Sequence, residues 1–309
     1  MALSDERDFS ERDARIAINT YTTVLRRDRV PHELFATYWR DVHGPLCSRI
    51  PGLGWYVQVH LDRAQDDHLW PELEGIQAFP DYVLDGGVEI GFESEADQAT
   101  FNDACHLLFA DEQNMFGETI AYSLPRGSTT LVDRVAESSP NGDDGLDRMH
   151  VHLGAAHDDV DAFARFLKDE FAPGLAKQPE LLRVRLHTPE RYDNDQPAPP
   201  APDVNHQVPE ERKLIAILDL AFESPRTRRA FFESSTFKQL ASGLEQHVAY
   251  ATAFAVSGTY VYVRDKQPTL AGLRGSRPAQ LIERLGANNQ VTPEVCHLML
   301  NNEIKNADA

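Results

Sequence analysis

The sequence predicts an α+β chain made of two consecutive βαββαβ units that close on each other as one barrel. Three observations carry this reading. The chain repeats itself at a fixed offset. Strand-type and helix-type periodicities follow the same order in both copies. Polar, Pro/Gly-rich breaks fall between and within the copies.

The repeat is read from two blocks. "FATYWRDVHGPLCSRIPGL" (35–53) aligns without a gap on "FARFLKDEFAPGLAKQPEL" (163–181), an offset of 128. Phe35, Ala36, Asp41, Pro45, Pro51 and Leu53 recur as Phe163, Ala164, Asp169, Pro173, Pro179 and Leu181. Further on, Phe92-Glu93-Ser94 recurs as Phe222-Glu223-Ser224 at an offset of 130.

Each unit then reads in order. A strand with Val/Ile/Thr/aromatic alternation opens it, 15–24 in the first unit and 148–155 in the second. Apolar residues at 3–4 spacing predict a helix over 31–50 and its counterpart over 158–177. Strands follow at 54–61 and 181–188, then at 86–94 and 213–223. Ser94 and Ser224 are N-cap candidates for second helices over 95–110 and 225–242. Closing strands fall near 119–124 or 129–134, and near 252–264. This order is the ferredoxin-like split βαβ unit. Its sheet carries helices on one face only, so two units in one chain can cover each other's bare faces and form an intrachain α/β barrel.

The polar stretch 136–147 reads as the linker between units. Residues 62–85 are an insertion in the first unit, and the Pro-rich 188–212 is a solvated loop in the second. The expected organisation is therefore 14–135, 147–266 and a C-terminal arm, 267–309, with short helices in "RPAQLIERLG" and "TPEVCHLML". Such an arm covers a barrel end or a neighbouring subunit, which keeps a homodimer open.

Composition bounds the function. The 309 residues are 41% hydrophobic and 26% charged, enough to bury a full core. A net charge of -19, with no Lys/Arg cluster, argues against nucleic acid and anionic membrane surfaces as partners. Cys47, Cys105 and Cys296 are odd in number and widely spaced, so no disulfide framework is expected and a reducing cytoplasm is the simplest compartment. The charged N-terminus has no apolar signal region, and no run approaches a membrane span. GxSxG, P-loop and helix-opening GxGxxG patterns are absent.

The block "ELFATYWRDVHGPLCSRIPGLGWYVQ" resembles the signature of the EthD family, in the dimeric α/β-barrel superfamily. "YVLDGGVEIGFES" resembles that family's second block. The resemblance covers about 14–130 well and the second unit in outline. It implies a small-molecule enzyme from a superfamily that includes polyketide cyclases, lactone isomerases, decarboxylases, cofactor-free monooxygenases and haem enzymes.

Trp39, His43, Leu46 and Ile50 share one helix face, which should press on the sheet. A half-buried imidazole in an apolar setting is a general-base candidate. Asp41 points elsewhere on an ideal helix and reaches His43 only if Pro45 distorts the turn. In the second copy Tyr38, Trp39 and His43 become Phe166, Leu167 and Phe171, and Arg40 becomes Lys168. The first unit therefore reads as the active half and the second as scaffold. His106, beside Cys105 near the end of the second helix, has no counterpart and is a second pocket candidate.

On the strand 54–61, Tyr56, Gln58 and His60 share a face. Shifted by one residue, that face matches Arg183, Arg185 and His187. With His150, His152, Glu89 and Asp219 these residues are expected to line the barrel as a polar network. A metal held by the His-x-His pair with Glu89 or His187, or a haem held by His60, His106 or His297, is the alternative chemistry.

The expected function is a lyase, cyclase or isomerase that needs no cofactor and acts on a small hydrophobic or aromatic carbonyl substrate. His43 and Asp41 would catalyse, and Tyr38, Trp39, Tyr56, Gln58, His60 and His106 would bind. A non-catalytic ligand-binding accessory protein is the alternative from another class.

Overall fold

A computed structural model of the chain describes residues 9–63, 69–135 and 139–304. It is a mixed α+β structure around one antiparallel sheet of 11 strands. The strands are β1 (Ile18–Arg26), β2 (Trp55–Leu61), β3 (Gly86–Phe92), β4 (Phe116–Leu124), β5 (Thr129–Asp133), β6 (Asn141–Gly142), β7 (Asp147–Ala155), β8 (Leu181–His187), β9 (Ile215–Phe222), β10 (Val248–Arg264) and β11 (Gln267–Pro268).

The main path runs β4-β1-β3-β2-β10-β7-β9-β8-β5. The long strand β10 joins its halves: Val248 to Ala255 pair with β7, and Val256 to Val263 pair with β2. The two ends of the path are consecutive in the chain, since β4 pairs β1 and β5, just beyond it, pairs β8. The sheet thus returns on itself. Three apolar clusters follow. One lies under the helices 95–115 and 32–48, and one under 160–176 and 225–240. The third gathers Tyr21, Val57, Ile120, Ile217 and Phe254, from strands of both parts of the sheet, in the interior.

The expected helix over 31–50 forms at 32–48, but not as one regular α-helix. Trp39–His43 is a π-helical turn, and Leu167–Phe171 repeats it in the helix 160–176. Pro45 and Pro173 follow these turns by two residues and have no N–H to continue an ordinary ladder. The carbonyl of Arg40 instead accepts from the buried Tyr262 hydroxyl at 2.6 Å. The Ser94 hydroxyl caps its helix by accepting from the Asp97 N–H, and Ser224 does the same for Thr227. The helix expected to end at 110 runs on, through His106–Met115.

Several expectations need correction. The first strand starts at Ile18, after a short helix Ser10–Ala14 that the polar, charged sequence did not signal. The Pro-rich 188–212 is more than a solvated loop. Ala201, Val204 and Val208 are buried, and Asn205 exchanges backbone hydrogen bonds with Gly117 and Thr119. It thereby pairs the outer groups of β4, which would otherwise be an open edge. The insertion 62–85 sends Phe79, Tyr82 and Leu84 into the interior cluster. Part of it, 64–68, and part of the expected linker, 136–138, lie outside the described residues. The tail leans on the helix 32–48: the Ser48 hydroxyl donates to the Gly272 carbonyl at 2.8 Å and Arg49 donates to the Leu273 carbonyl at 2.7 Å. Among the described residues no helix is long and apolar enough to cross a membrane.

Candidate functional site

The helix face predicted from spacing is buried. Trp39 is 0% exposed and His43 5%. Between this helix and the outer face of β1–β4 lies a cavity of about 70 Å³, lined by Trp39, His43, Cys47, Tyr56, Glu112 and Phe116 among others. The Trp39 ring lies so close to Gly86 that a Cβ there would sit 2.4 Å from the indole, which gives a physical reason for the Gly-Gly start of β3.

His43 Nδ1 donates to Asp111 Oδ2 at 2.9 Å. The Tyr38 hydroxyl donates to the other oxygen of the same carboxylate at 2.5 Å. Burial alone would raise the Asp111 pKa; hydrogen bonds from His43 and Tyr38 outweigh it and hold the carboxyl below its ordinary range. This bond fixes the imidazole's tautomer: the proton sits on Nδ1 and leaves Nε2 as the basic nitrogen. Glu112, one residue on, is pushed up to about 8 by burial and then by the Asp111 charge. This favours the protonated carboxylic acid near neutral pH. Cys47 also lines the cavity, but burial raises its pKa strongly and keeps it a thiol. The indole N–H of Trp39 has no hydrogen-bond partner among the described residues.

The other expected residues sort as follows. Gln58 Nε2 donates to the Trp39 carbonyl at 3.1 Å and to the Tyr56 hydroxyl at 2.7 Å, bracing the π turn from beneath. His60 bonds Gln58 Oε1 at 3.1 Å and stacks under the Trp39 ring at 4.3 Å. Burial, with Arg40 nearby, holds it well below the ordinary imidazole range. Asp41 is not at His43. It pairs with Arg40 at 2.6 Å and accepts from the backbone N–H of Arg277, because even the π turn leaves residue 41 on the far side of the helix. The carboxylate that sequence reasoning sought there is Asp111. His106 is exposed and bonds the Asp103 carbonyl, one position off the inward stripe of Phe101, Cys105, Leu108, Glu112 and Met115.

The expected interior network is also divided. Arg183, Arg185, His187, His150, Glu89 and Asp219 do face the interior, but Tyr56, Gln58 and His60 face the helices. The shift by one residue was the error. At the unshifted offset of 128, Arg183 and Arg185 match Trp55 and Val57, which do line the interior. A slip of one residue exchanges the faces of a strand.

The interior histidines and Glu89 are engaged with other side chains. His150 Nδ1 bonds the Tyr21 hydroxyl at 2.7 Å, His152 Nδ1 bonds Tyr82 at 2.8 Å, and His187 Nδ1 bonds Ser128 at 2.7 Å. Glu89 is held by Arg185 and by Asn19. Among the described residues no group of three or more His, Cys, Asp or Glu is placed to hold a metal ion. Of the histidines expected for a haem, His60 is sandwiched between Trp39 and Tyr260, His106 bonds the Asp103 carbonyl, and His297 bonds Asn301.

No protein-family model and no curated protein sequence matches this chain. Solved structures with a similar chain path include one from Fusobacterium nucleatum described as a putative monooxygenase, with a TM-score of 0.47, 9% identity, and coverage of 82% of this chain and 95% of that one. Another, from Lactobacillus acidophilus and described in the same words, has a TM-score of 0.44, 8% identity, and coverage of 82% and 97%. An anthrone oxidase-like protein has a TM-score of 0.48, 8% identity, and coverage of 79% and 92%.

Proposed function

We propose that this chain is an acid–base enzyme for a small apolar or aromatic carbonyl compound, a lyase, cyclase or isomerase of the EthD-like type that needs no cofactor. We read its two halves as copies of one ferredoxin-like unit closed into an intrachain α/β barrel, with the first copy active. The observation that carries the functional reading is the placing of His43, held by Asp111, and the carboxyl of Glu112 on one cavity.

The chemistry follows from those groups. His43 Nε2 takes a proton from the carbon next to the carbonyl. The electron pair moves into the carbonyl, whose oxygen becomes an enolate. Glu112 donates its proton to that oxygen, and the free Trp39 N–H supplies a further donor. Asp111 steadies the imidazolium formed on His43, with Tyr38 holding the carboxylate. Return of the proton to a different atom gives isomerisation. Attack of the enol carbon on a second carbonyl gives ring closure, the enol oxygen returning its proton to Glu112 and the His43 imidazolium protonating the new alkoxide.

The test is exchange of α-hydrogens for deuterium in a panel of small aryl ketones, followed by NMR in heavy water. The wild type should promote exchange. His43→Ala should keep its fold and lose about 10²–10⁴-fold of the rate. Binding without exchange, or exchange unchanged in His43→Ala, would overturn the reading.

A further inference from the structure

We propose that the barrel interior is a second ligand site, separate from the His43 cavity, for a small carboxylate on an apolar or aromatic body. The space is there: a cavity of about 100 Å³ lies between Trp55, Val57, Val59 and Val261 on one wall and His150 and Arg183 on another. It uses the opposite face of the same strands. Tyr21, Val57 and Glu89 line it, whereas Thr22, Tyr56 and Val88 line the His43 cavity.

The charges say what fits. Most cations around this cavity already have carboxylates. Arg183 pairs with Asp133 and Asp219, Arg185 with Glu89 and Asp13, and Arg148 with Asp144. Arg12 bonds Asp13 and Thr130. Arg264 is different. Its guanidinium lies 4.1 Å from the centre of the Trp55 ring and has no hydrogen bond or ion pair among the described residues. Burial, with Arg12, Arg183 and Arg185 adding like charge against the opposing pull of Asp265, lowers its pKa to about 10. The Trp55 indole N–H beside it is buried and also lacks an acceptor. Two neighbouring donors without acceptors, one of them charged, call for an anionic acceptor. The guanidinium offers its unused donors to one carboxylate, and the valine and indole walls match an apolar body.

The probe is sodium benzoate, with benzamide as its neutral isostere, titrated into the full chain by calorimetry. Benzoate should bind, and benzamide should bind at least about tenfold more weakly. Arg264→Gln should weaken benzoate by about tenfold or more while leaving the thermal melt in place. His43→Ala should leave benzoate affinity unchanged, which separates this site from the proposed catalytic one. If Arg264→Gln does not fold, Trp55→Phe, which removes the N–H and keeps a ring, replaces it and should also weaken benzoate. Absence of benzoate binding, equal binding of benzamide, an undiminished affinity in the folded variant, or loss of binding in His43→Ala would each overturn the proposal.

Discussion

Asp111 and Glu112 are neighbours in sequence and opposites in protonation. Asp111 receives hydrogen bonds from His43 and Tyr38 and stays ionised, while Glu112 is raised to about 8 by burial and by the Asp111 charge. Glu112 therefore holds its proton below about pH 8 and loses it as the pH rises through that value. Turnover should fall above about pH 8, and Glu112→Gln should remove that alkaline limb from the pH–rate profile while lowering the rate. A limb that persists in the variant would assign the loss to another group. His43 and Trp39 were legible in the sequence because local helical spacing and the comparison of 35–53 with 163–181 single them out. Asp111 and Glu112 were not, because they lie beyond the helix end predicted at 110. The available signal was the continuing spacing of Leu108, Glu112 and Met115.

At the scale of elements, the site depends on a helix that departs from α geometry at Trp39–His43. Pro45 removes a backbone donor, and the Tyr262 hydroxyl, from β10, supplies one to the Arg40 carbonyl. The same strand packs tightly on the following turn, since a Cβ on Gly44 would lie 2.5 Å from the Tyr262 ring. Tyr262→Phe should leave a buried carbonyl short of a donor and cost about 1–3 kcal/mol, read by denaturant unfolding. Gly86→Ala should push the Trp39 ring off β3 at a cost of about 1–3 kcal/mol and should lower turnover as well, because that ring lines the His43 cavity. A fully active, fully stable Gly86→Ala variant would mean that Trp39 has room to move. The two prolines made a distortion legible, but not the residue that braces it. Tyr262 is 222 residues from Arg40 in sequence and meets it only through the tertiary fold.

Across the whole molecule, the histidines buried on the inner face of the sheet should set the response to acid. His187 is buried, and its pKa is lowered to about 4 by that burial against the opposing pull of Glu89. An exposed imidazole titrates near about 6.5, so between these values the unfolded chain binds a proton that the folded chain does not. The stability from this residue is complete above about pH 6.5 and is lost as the pH falls toward about 4, on the order of 3 kcal/mol. Burial lowers His150 and His152 in the same direction. Melting temperature should therefore fall across that window, and His187→Gln should make the fall shallower; a flat profile would show that these imidazoles are hydrated. By itself the sequence determined the order of elements, the two serine caps, the proline-marked helix and the inward turn of Trp39 and His43. All of these rest on spacing within a few residues, which local sterics and hydrogen bonding dictate. Only the tertiary structure decided that Asp111 rather than Asp41 meets His43, that the polar face of β2 turns to the helices, that 188–212 covers the edge of β4, and that Arg264 forms no ion pair among the described residues. Those outcomes depend on strand register and on contacts between segments far apart in the chain, where one residue of slip reverses a face and no local period records the partner.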